Sequence, residues 1–194
     1  MKLNNNYFIL RHGGALSNQK RINSSWPEKI ENSLTEEGRK QVENSLPKIR
    51  KEDIDLIFSS DLLRTEETAQ IVADAFDLEV KFDTRLREYD VGIFNSEPLD
   101  RWYGFFNGKE EMFYKRPPGG ENVRDIGERM LSFLQEIDSK YKNKNILIIS
   151  HGGPLFVLEA MIKGWSEEEM MMPEIEKTKL NTGEFRKIYA NTGD

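Results

Sequence analysis

Four short, apolar-rich runs punctuate the chain: Tyr7 to Leu10, Ile54 to Phe58, Leu78 to Phe82 and Ile146 to Ile149. Their brevity and β-branched or aromatic content predict buried strands. Helical patterns fall between them. Thr35 offers a hydroxyl cap, Glu36 and Glu37 suit a first turn, and Val42, Leu46 and Ile49 form a sparse stripe, as expected of a solvent-facing helix. Asp61 is placed to cap a second helix carrying Leu62, Leu63, Ala69, Val72 and Phe76. A third should follow the breaker Pro117-Pro118-Gly119-Gly120, with Val123, Ile126, Met130, Phe133, Ile137 and Tyr141 on one side. Strands alternating with helices predict an α/β domain, a three-layer α/β/α sandwich around a mostly parallel sheet, whose ligands sit beyond the carboxyl ends of the strands.

Two stretches resist this pattern. Residues 92–116 hold Phe94, Trp102, Tyr103, Phe105, Phe106, Phe113 and Tyr114 without a clean period. They read either as a small helical insert with its own core or as a wall of a ligand pocket, the first reading being preferred. Residues 164–180 form a second possible pocket-covering insert. The run Met170-Met171-Met172 is assigned no role, because consecutive residues cannot share a helix face. With 194 residues, and neither an internal repeat nor a low-complexity linker, residues 1–194 are expected to form one domain.

Composition narrows the chemistry. The absence of cysteine removes disulfides, thiol nucleophiles and thiolate metal sites. A formal charge of −6 opposes non-specific nucleic-acid binding, so any phosphate recognition must be local. No apolar run approaches the roughly 20 residues of a membrane span. The first residues lead into a strand without the apolar core of a signal peptide, so a cytoplasmic location is expected.

Against that background the only two histidines stand in matching positions, each after an apolar strand and before two glycines: Ile9-Leu10-Arg11-His12-Gly13-Gly14 and Ile149-Ser150-His151-Gly152-Gly153. Both should emerge at the carboxyl edge of the sheet, with glycines that let backbone N–H groups approach a ligand. No further His or carboxylate stands at the spacing of a known metal signature, so no metal is expected. Arg11 precedes one histidine, and Arg64 opens the helix after another strand. Two guanidinium forks around a histidine suit a phosphoryl group better than an acyl carbonyl. Taken alone, Arg64 would read as a surface partner of Glu66 or Glu67.

These segments together resemble the histidine phosphatase superfamily, which includes the cofactor-dependent phosphoglycerate mutases. Arg11-His12-Gly13 with Asn18 is similar to the R-H-G-x-x-x-x-N signature, and Leu34-Thr35-Glu36-Glu37-Gly38-Arg39-Lys40-Gln41 to L-T-x-x-G-x-x-Q. Ser59 through Ala69 resembles S-S-x-L-x-R-x-x-x-T-A, and Leu86 through Gly92 resembles L-x-E-x-D-x-G. Pro118-Gly119-Gly120-Glu121 and Ser150-His151-Gly152-Gly153 complete the series in order. The chain departs from the pattern at Gly14 and Ala15, where an acidic residue and a hydroxyl are common. It departs again at Val91 to Ser96, which replaces an F-G-x-W-E-G string.

The resemblance implies a phosphoglycerate mutase-like fold and a phosphohistidine mechanism without a cofactor. His12 would be the nucleophile, Glu88 the general acid and then base, and Arg11, Arg64 and His151 the donors to phosphoryl oxygens. Asn18 and the Gly152 N–H would assist binding, while Lys20 and Arg21 are read as surface charges. The Glu88-x-Asp90-x-Gly92 and Pro118 to Glu121 strings look more like the phosphatase branch, and the chain is shorter than mutases with their added loops. Hydrolysis of a small phosphomonoester is therefore expected ahead of mutase activity or a non-catalytic phospholigand sensor. The natural substrate and oligomeric state are not readable.

Overall fold

The computed structural model describes residues 2–189. Five strands form one sheet: β1 (Asn6–Arg11), β2 (Leu56–Ser59), β3 (Val80–Phe82), β4 (Asn145–Ser150) and β5 (Phe185–Ile188). Their order is β3-β2-β4-β1-β5, parallel except for β5, which pairs antiparallel with β1 at the edge. The helices are α1 (Leu16–Lys20), α2 (Glu36–Glu43), α3 (Leu46–Ile49), α4 (Leu63–Phe76), α5 (Leu99–Tyr103), α6 (Glu111–Tyr114), α7 (Val123–Lys140), α8 (Gly152–Lys163), α9 (Glu167–Met171) and α10 (Pro173–Glu176).

Strand alternation divides the core into two layers. Tyr7, Ile9, Ile146 and Ile148 face one side and pack with Met130 and Phe133 of α7 and Leu155 and Leu158 of α8. Phe8, Leu10, Leu147 and Ile149 face the other, meeting Val42 of α2 and Ala69, Val72 and Ala73 of α4. Burial on both faces is why these strands read as continuous apolar runs. The expected three-layer architecture is the one formed.

Several local expectations change. Asp61 does not cap α4; its carboxylate takes a bidentate pair from Arg87 at 2.5 and 2.7 Å. The first turn is served instead by Ser60 Oγ, accepting from Leu62 N–H, and by Glu28 Oε2, accepting from Leu63 N–H at 3.0 Å. Thr35 caps α2 as expected, but the helix stops at Glu43 and restarts as α3 with Pro47 in its first turn. Ile54 and Leu78 lie before their strands. Each follows an aspartate in the left-handed conformation, Asp53 at φ 43° and Asp77 at φ 54°, where the chain turns out of a helix.

The α2 motif is explained by what it grips. Thr35 N–H and Oγ1–H both donate to the Gly14 carbonyl, at 2.9 and 3.0 Å. Gln41 Oε1 accepts from Gly14 N–H at 2.9 Å. Gly38 packs flat on this loop: a Cβ on Gly38 would collide with the Gly14 carbonyl, and one on Gly13 with the Gly38 carbonyl. Backbone against backbone leaves no flexible side chain to yield. We expect Gly38→Ala to destabilise the fold by about 1–3 kcal/mol, the usual cost of overpacking, read as a lowered urea midpoint at unchanged slope. An unchanged midpoint would show that the loop can move away.

Candidate active site

The register of the central strands builds the site. Parallel pairing sets Arg11 opposite Ser150, so His12 and His151 leave neighbouring strands at the same level. On the other flank of β4, Ser59 pairs with Ile149, so β2 delivers Ser60 and then the first turn of α4 with Arg64. Three adjacent carboxyl ends therefore converge.

His12 is 2% exposed and lies edge-on to His151, with ring centroids 5.2 Å apart at 60°. Its Nδ1 stands 2.7 Å from the Gly13 carbonyl, which can only accept, so Nδ1 carries the proton. Its Nε2 accepts from Arg64 Nε–H at 3.3 Å and so presents the lone pair. Burial, then Arg64, then Arg11 hold the His12 pKa well below the usual histidine value. The ring is neutral near pH 7. His151 is fully buried beside it, with Nε2 3.0 Å from Ser60 Oγ and no partner for Nδ1 among the described residues. Burial, Arg64, His12 and Arg11 depress its pKa as well.

Arg64 is 2% exposed, which removes the surface reading. Besides His12 it donates to Glu28 Oε1 at 3.1 Å and to the Ser24 carbonyl at 3.0 Å. Glu67 is instead engaged by Arg39 and the Leu34 N–H. Arg11 donates through Nη1 to the Leu180 carbonyl at 2.8 Å, while its Nε is buried and has no partner among the described residues. The Arg11 guanidinium lies against Gly152, where a Cβ would stand 3.2 Å from Cζ. Gly152 and Gly153 open α8, placing a helix N-terminus with its free N–H groups beside these cations.

Glu88 approaches from the loop after β3. It reaches the same end of the site, because a Cβ on Gly153 would lie 3.2 Å from Glu88 Oε1. The surrounding motif holds that loop: Glu121 accepts from Asp90 N–H and from Arg129, and Arg129 donates to the Glu88 and Arg85 carbonyls. Gly92, at φ 56°, lets the loop cross against Pro118 and Gly120.

Arg11, His12, Arg64, Glu88, Asn18 and Gly152 all line one cavity of about 610 Å³; His151, expected as a donor to phosphoryl oxygens, is not among the lining residues, being fully buried beside His12 with its Nε2 engaged by Ser60. Asn18 also serves structure, its Oδ1 accepting from Ala15 N–H at 2.9 Å. Arg21 lines the cavity although it was read as a surface charge; Lys20 is not among the lining residues. Val91, Leu99, Trp102, Tyr103, Lys109, Met112 and Phe113 bring residues 92–116 into the wall, and Met170, Met171, Glu176 and Lys179 do the same for residues 164–180. The aromatic segment also packs internally, Trp102 against Tyr103 and Phe106, so both readings of it hold. Sequence reasoning missed Glu28 and Leu180, which hold Arg64 and Arg11, because a lone glutamate and a carbonyl carry no signature, and it assigned no role to Ser60, which stands in the Ser59 to Ala69 motif and holds His151.

A five-stranded, mostly parallel sheet with paired strand-end histidines and flanking arginines defines the phosphoglycerate mutase-like class of α/β proteins. The chain belongs to the histidine phosphatase superfamily, branch 1, whose family model matches residues 7–189. It is 34% identical over 167 residues to a protein of Erwinia tasmaniensis named probable phosphoglycerate mutase GpmB, covering 81% of this chain and 74% of that one. Its fold is similar to an α-ribazole phosphatase from Shigella flexneri, at TM-score 0.81 and 23% identity over 96% of this chain and 91% of the other. It is equally similar to YhfR of Bacillus stearothermophilus, at TM-score 0.81 and 23% identity, covering 97% and 93%. Among the described residues no helix is long and apolar enough to cross a membrane.

The histidines also tie stability to pH. Each is held neutral in the fold and takes up a proton near pH 6.5 when unfolded. Stability from this source is complete above that value and is lost as pH falls toward the depressed folded pKa values. The limiting slope is about 1.4 kcal/mol per pH unit for each histidine. Urea unfolding between pH 7.5 and 5.5 should show this decline, and His151→Asn should flatten it. An identical slope in the variant would refute the assignment.

Proposed function

We propose that the chain is a metal-independent phosphatase that hydrolyses small phosphomonoesters through a phosphohistidine on His12. The observation that carries the reading is the lone pair of His12 Nε2, fixed at the cavity by the Nδ1–H bond to Gly13 and flanked by the buried guanidinium of Arg64 and the half-buried one of Arg11. A phosphoryl group seated there would supply the partner that Arg11 Nε lacks.

In the first half-reaction His12 Nε2 attacks phosphorus as the bond to the alcohol oxygen breaks, and that oxygen takes a proton from Glu88. In the second, Glu88 accepts a proton from water as the water oxygen attacks the phosphohistidine; phosphate departs and Nε2 regains its lone pair. Charge spreads over the equatorial phosphoryl oxygens in both steps, so Arg11, Arg64 and the N–H groups opening α8 act by position and charge. His151, edge-on behind His12, supports the nucleophile's ring and the anion end. Glu28 partly neutralises Arg64 through a pair at 3.1 Å.

The names of the GpmB relatives favour a second reading, in which the same phosphohistidine passes its group to another substrate hydroxyl. The two differ only in the acceptor. Phosphate release from a panel of phosphomonoesters in the presence of a chelator tests the hydrolase directly. We expect release by the unmodified protein, none by His12→Ala, and a loss of roughly 10²–10³ for Arg64→Ala. Normal turnover by His12→Ala would end the phosphohistidine mechanism. Absence of release, together with isomerisation of phosphoglycerate in the presence of a bisphosphate primer, would replace the hydrolase with the mutase.

A further inference from the structure

Arg64 is held by partners on three sides, and one of them does two jobs. Its Nε–H faces His12 Nε2 at 3.3 Å, its Nη2–H the Ser24 carbonyl at 3.0 Å, and its Nη1–H Oε1 of Glu28 at 3.1 Å. A guanidinium carries five N–H donors in one plane, so three partners fix both the direction of that plane and its rotation and leave two donors for a phosphoryl group. Glu28 also binds the helix that carries Arg64. Its second oxygen, Oε2, accepts from the Leu63 N–H at 3.0 Å. That N–H is one of the free donors in the first turn of α4, where Leu62 at the N-cap makes no side-chain bond.

Glu28 is itself firmly placed. Its side chain is 16% exposed and that of Arg64 3%, so water competes little for the pair. Residues 24–28 have no regular structure, and buried Asn95 takes the place of a neighbouring strand. Its Oδ1 accepts from Ser25 N–H at 3.2 Å, and its Nδ2 donates to the Ser25 and Pro27 carbonyls at 3.2 and 2.9 Å. The Arg87 guanidinium lies 4.0 Å from the centre of the Trp26 ring and pairs with Asp61, just before α4. The carboxylate therefore reaches Arg64 from a segment tied both to the entry of α4 and to residues 92–116. Arg64 and Ser24 line the cavity, whereas Glu28 is not among the lining residues. Any effect it has on a bound phosphoryl group passes through Arg64.

Building on the phosphatase reading of the anion end, we propose that Glu28 is the positioning residue of Arg64, its two oxygens aiming the guanidinium at the phosphoryl group that His12 receives. The grip needs both oxygens and the full length of the side chain. Glutamine offers one acceptor and sets an amide N–H against one of the two donors. Aspartate keeps both oxygens and the charge but is one methylene short. A carboxylate acting through its charge alone would behave differently. It lowers the positive charge of the anion end, so glutamine in its place would tighten anion binding and aspartate would change little. The sign for glutamine and the size for aspartate therefore separate aim from charge.

The contact between Arg64 and His12 can be read directly. The chain has two histidines, so its ring nitrogens give two sets of NMR signals, assigned with His151→Asn. In Glu28→Gln and Glu28→Asp the His12 Nε2 resonance should move toward that of a nitrogen accepting no bond, while the backbone spectrum stays that of the folded protein. Calorimetry with orthovanadate, which takes the five-coordinate geometry of a transferring phosphoryl group, should show affinity lowered about tenfold or more in both variants. For phosphomonoester hydrolysis, kcat should fall by about 10–100-fold while KM stays within about threefold. Glu66→Gln removes a carboxylate from the same first turn of α4 and should change none of these. An unmoved His12 resonance with unchanged orthovanadate affinity in Glu28→Asp would overturn the proposal, as would tighter orthovanadate binding in Glu28→Gln. A moved resonance, where the unmodified protein hydrolyses no ester, would keep Glu28 as the residue that aims Arg64 and remove the phosphatase reading.

Discussion

Parallel pairing of β1 with β4, with Arg11 opposite Ser150, is the constraint from which the site follows. A shift of one residue would turn each apolar side chain from one core layer to the other, so the register is locked by Phe8 and Leu10 on one face and by Tyr7 and Ile9 on the other. Two imidazoles are thereby delivered to one point without either having to find the other. What remains is to hold the backbone after His12, and that falls to hydrogen bonds from three directions. Thr35 and Gln41 hold Gly14, Thr68 Oγ1 accepts from Gly13 N–H at 3.2 Å, and Gly183 N–H donates to the Arg11 and His12 carbonyls.

Once the rings are fixed, electrostatics sets their state. Burial and the guanidinium groups of Arg64 and Arg11 act in the same direction on both histidines, keeping them neutral. The same cations make the cavity floor attractive to an anion. One arrangement thus prepares the proposed nucleophile and recruits its target, at the expense of two imidazoles that would gain protons on unfolding in mild acid.

Much of this was legible in the sequence because strand-end histidines and flanking arginines are rare residues in distinctive places. Arg11, His12, Arg64 and Glu88 meet in one cavity as their motifs suggested, with His151 behind. The hidden parts share a physical cause: they act through common groups or irregular backbone. Leu180 contributes a carbonyl, Ser60 a hydroxyl, and Glu28 a carboxylate on an irregular segment. β5 escaped notice because an edge strand with Arg186 and Lys187 lacks the apolar run of a central one. α8 is buried on nearly every side, so Pro154 to Ile162 shows no stripe to read. Met170 and Met171 looked like an accident of composition, yet both reach the cavity wall because α9 lies along its rim.

The bond from Arg11 to the Leu180 carbonyl has an evolutionary meaning. A main-chain oxygen is supplied by any residue, so this anchor makes no demand of its own on the side chains of the segment leading into it, while Met170 and Leu180 answer to the core in which they are buried. The guanidinium of Arg186 extends this indifference by holding the Thr178 carbonyl, again without reading a side chain. Met170, Met171, Glu176 and Lys179 therefore sit on a stretch whose path is held through its main-chain oxygens at Thr178 and Leu180. A lineage can remodel what it accepts at the far end of the cavity without renegotiating how the anion end is held.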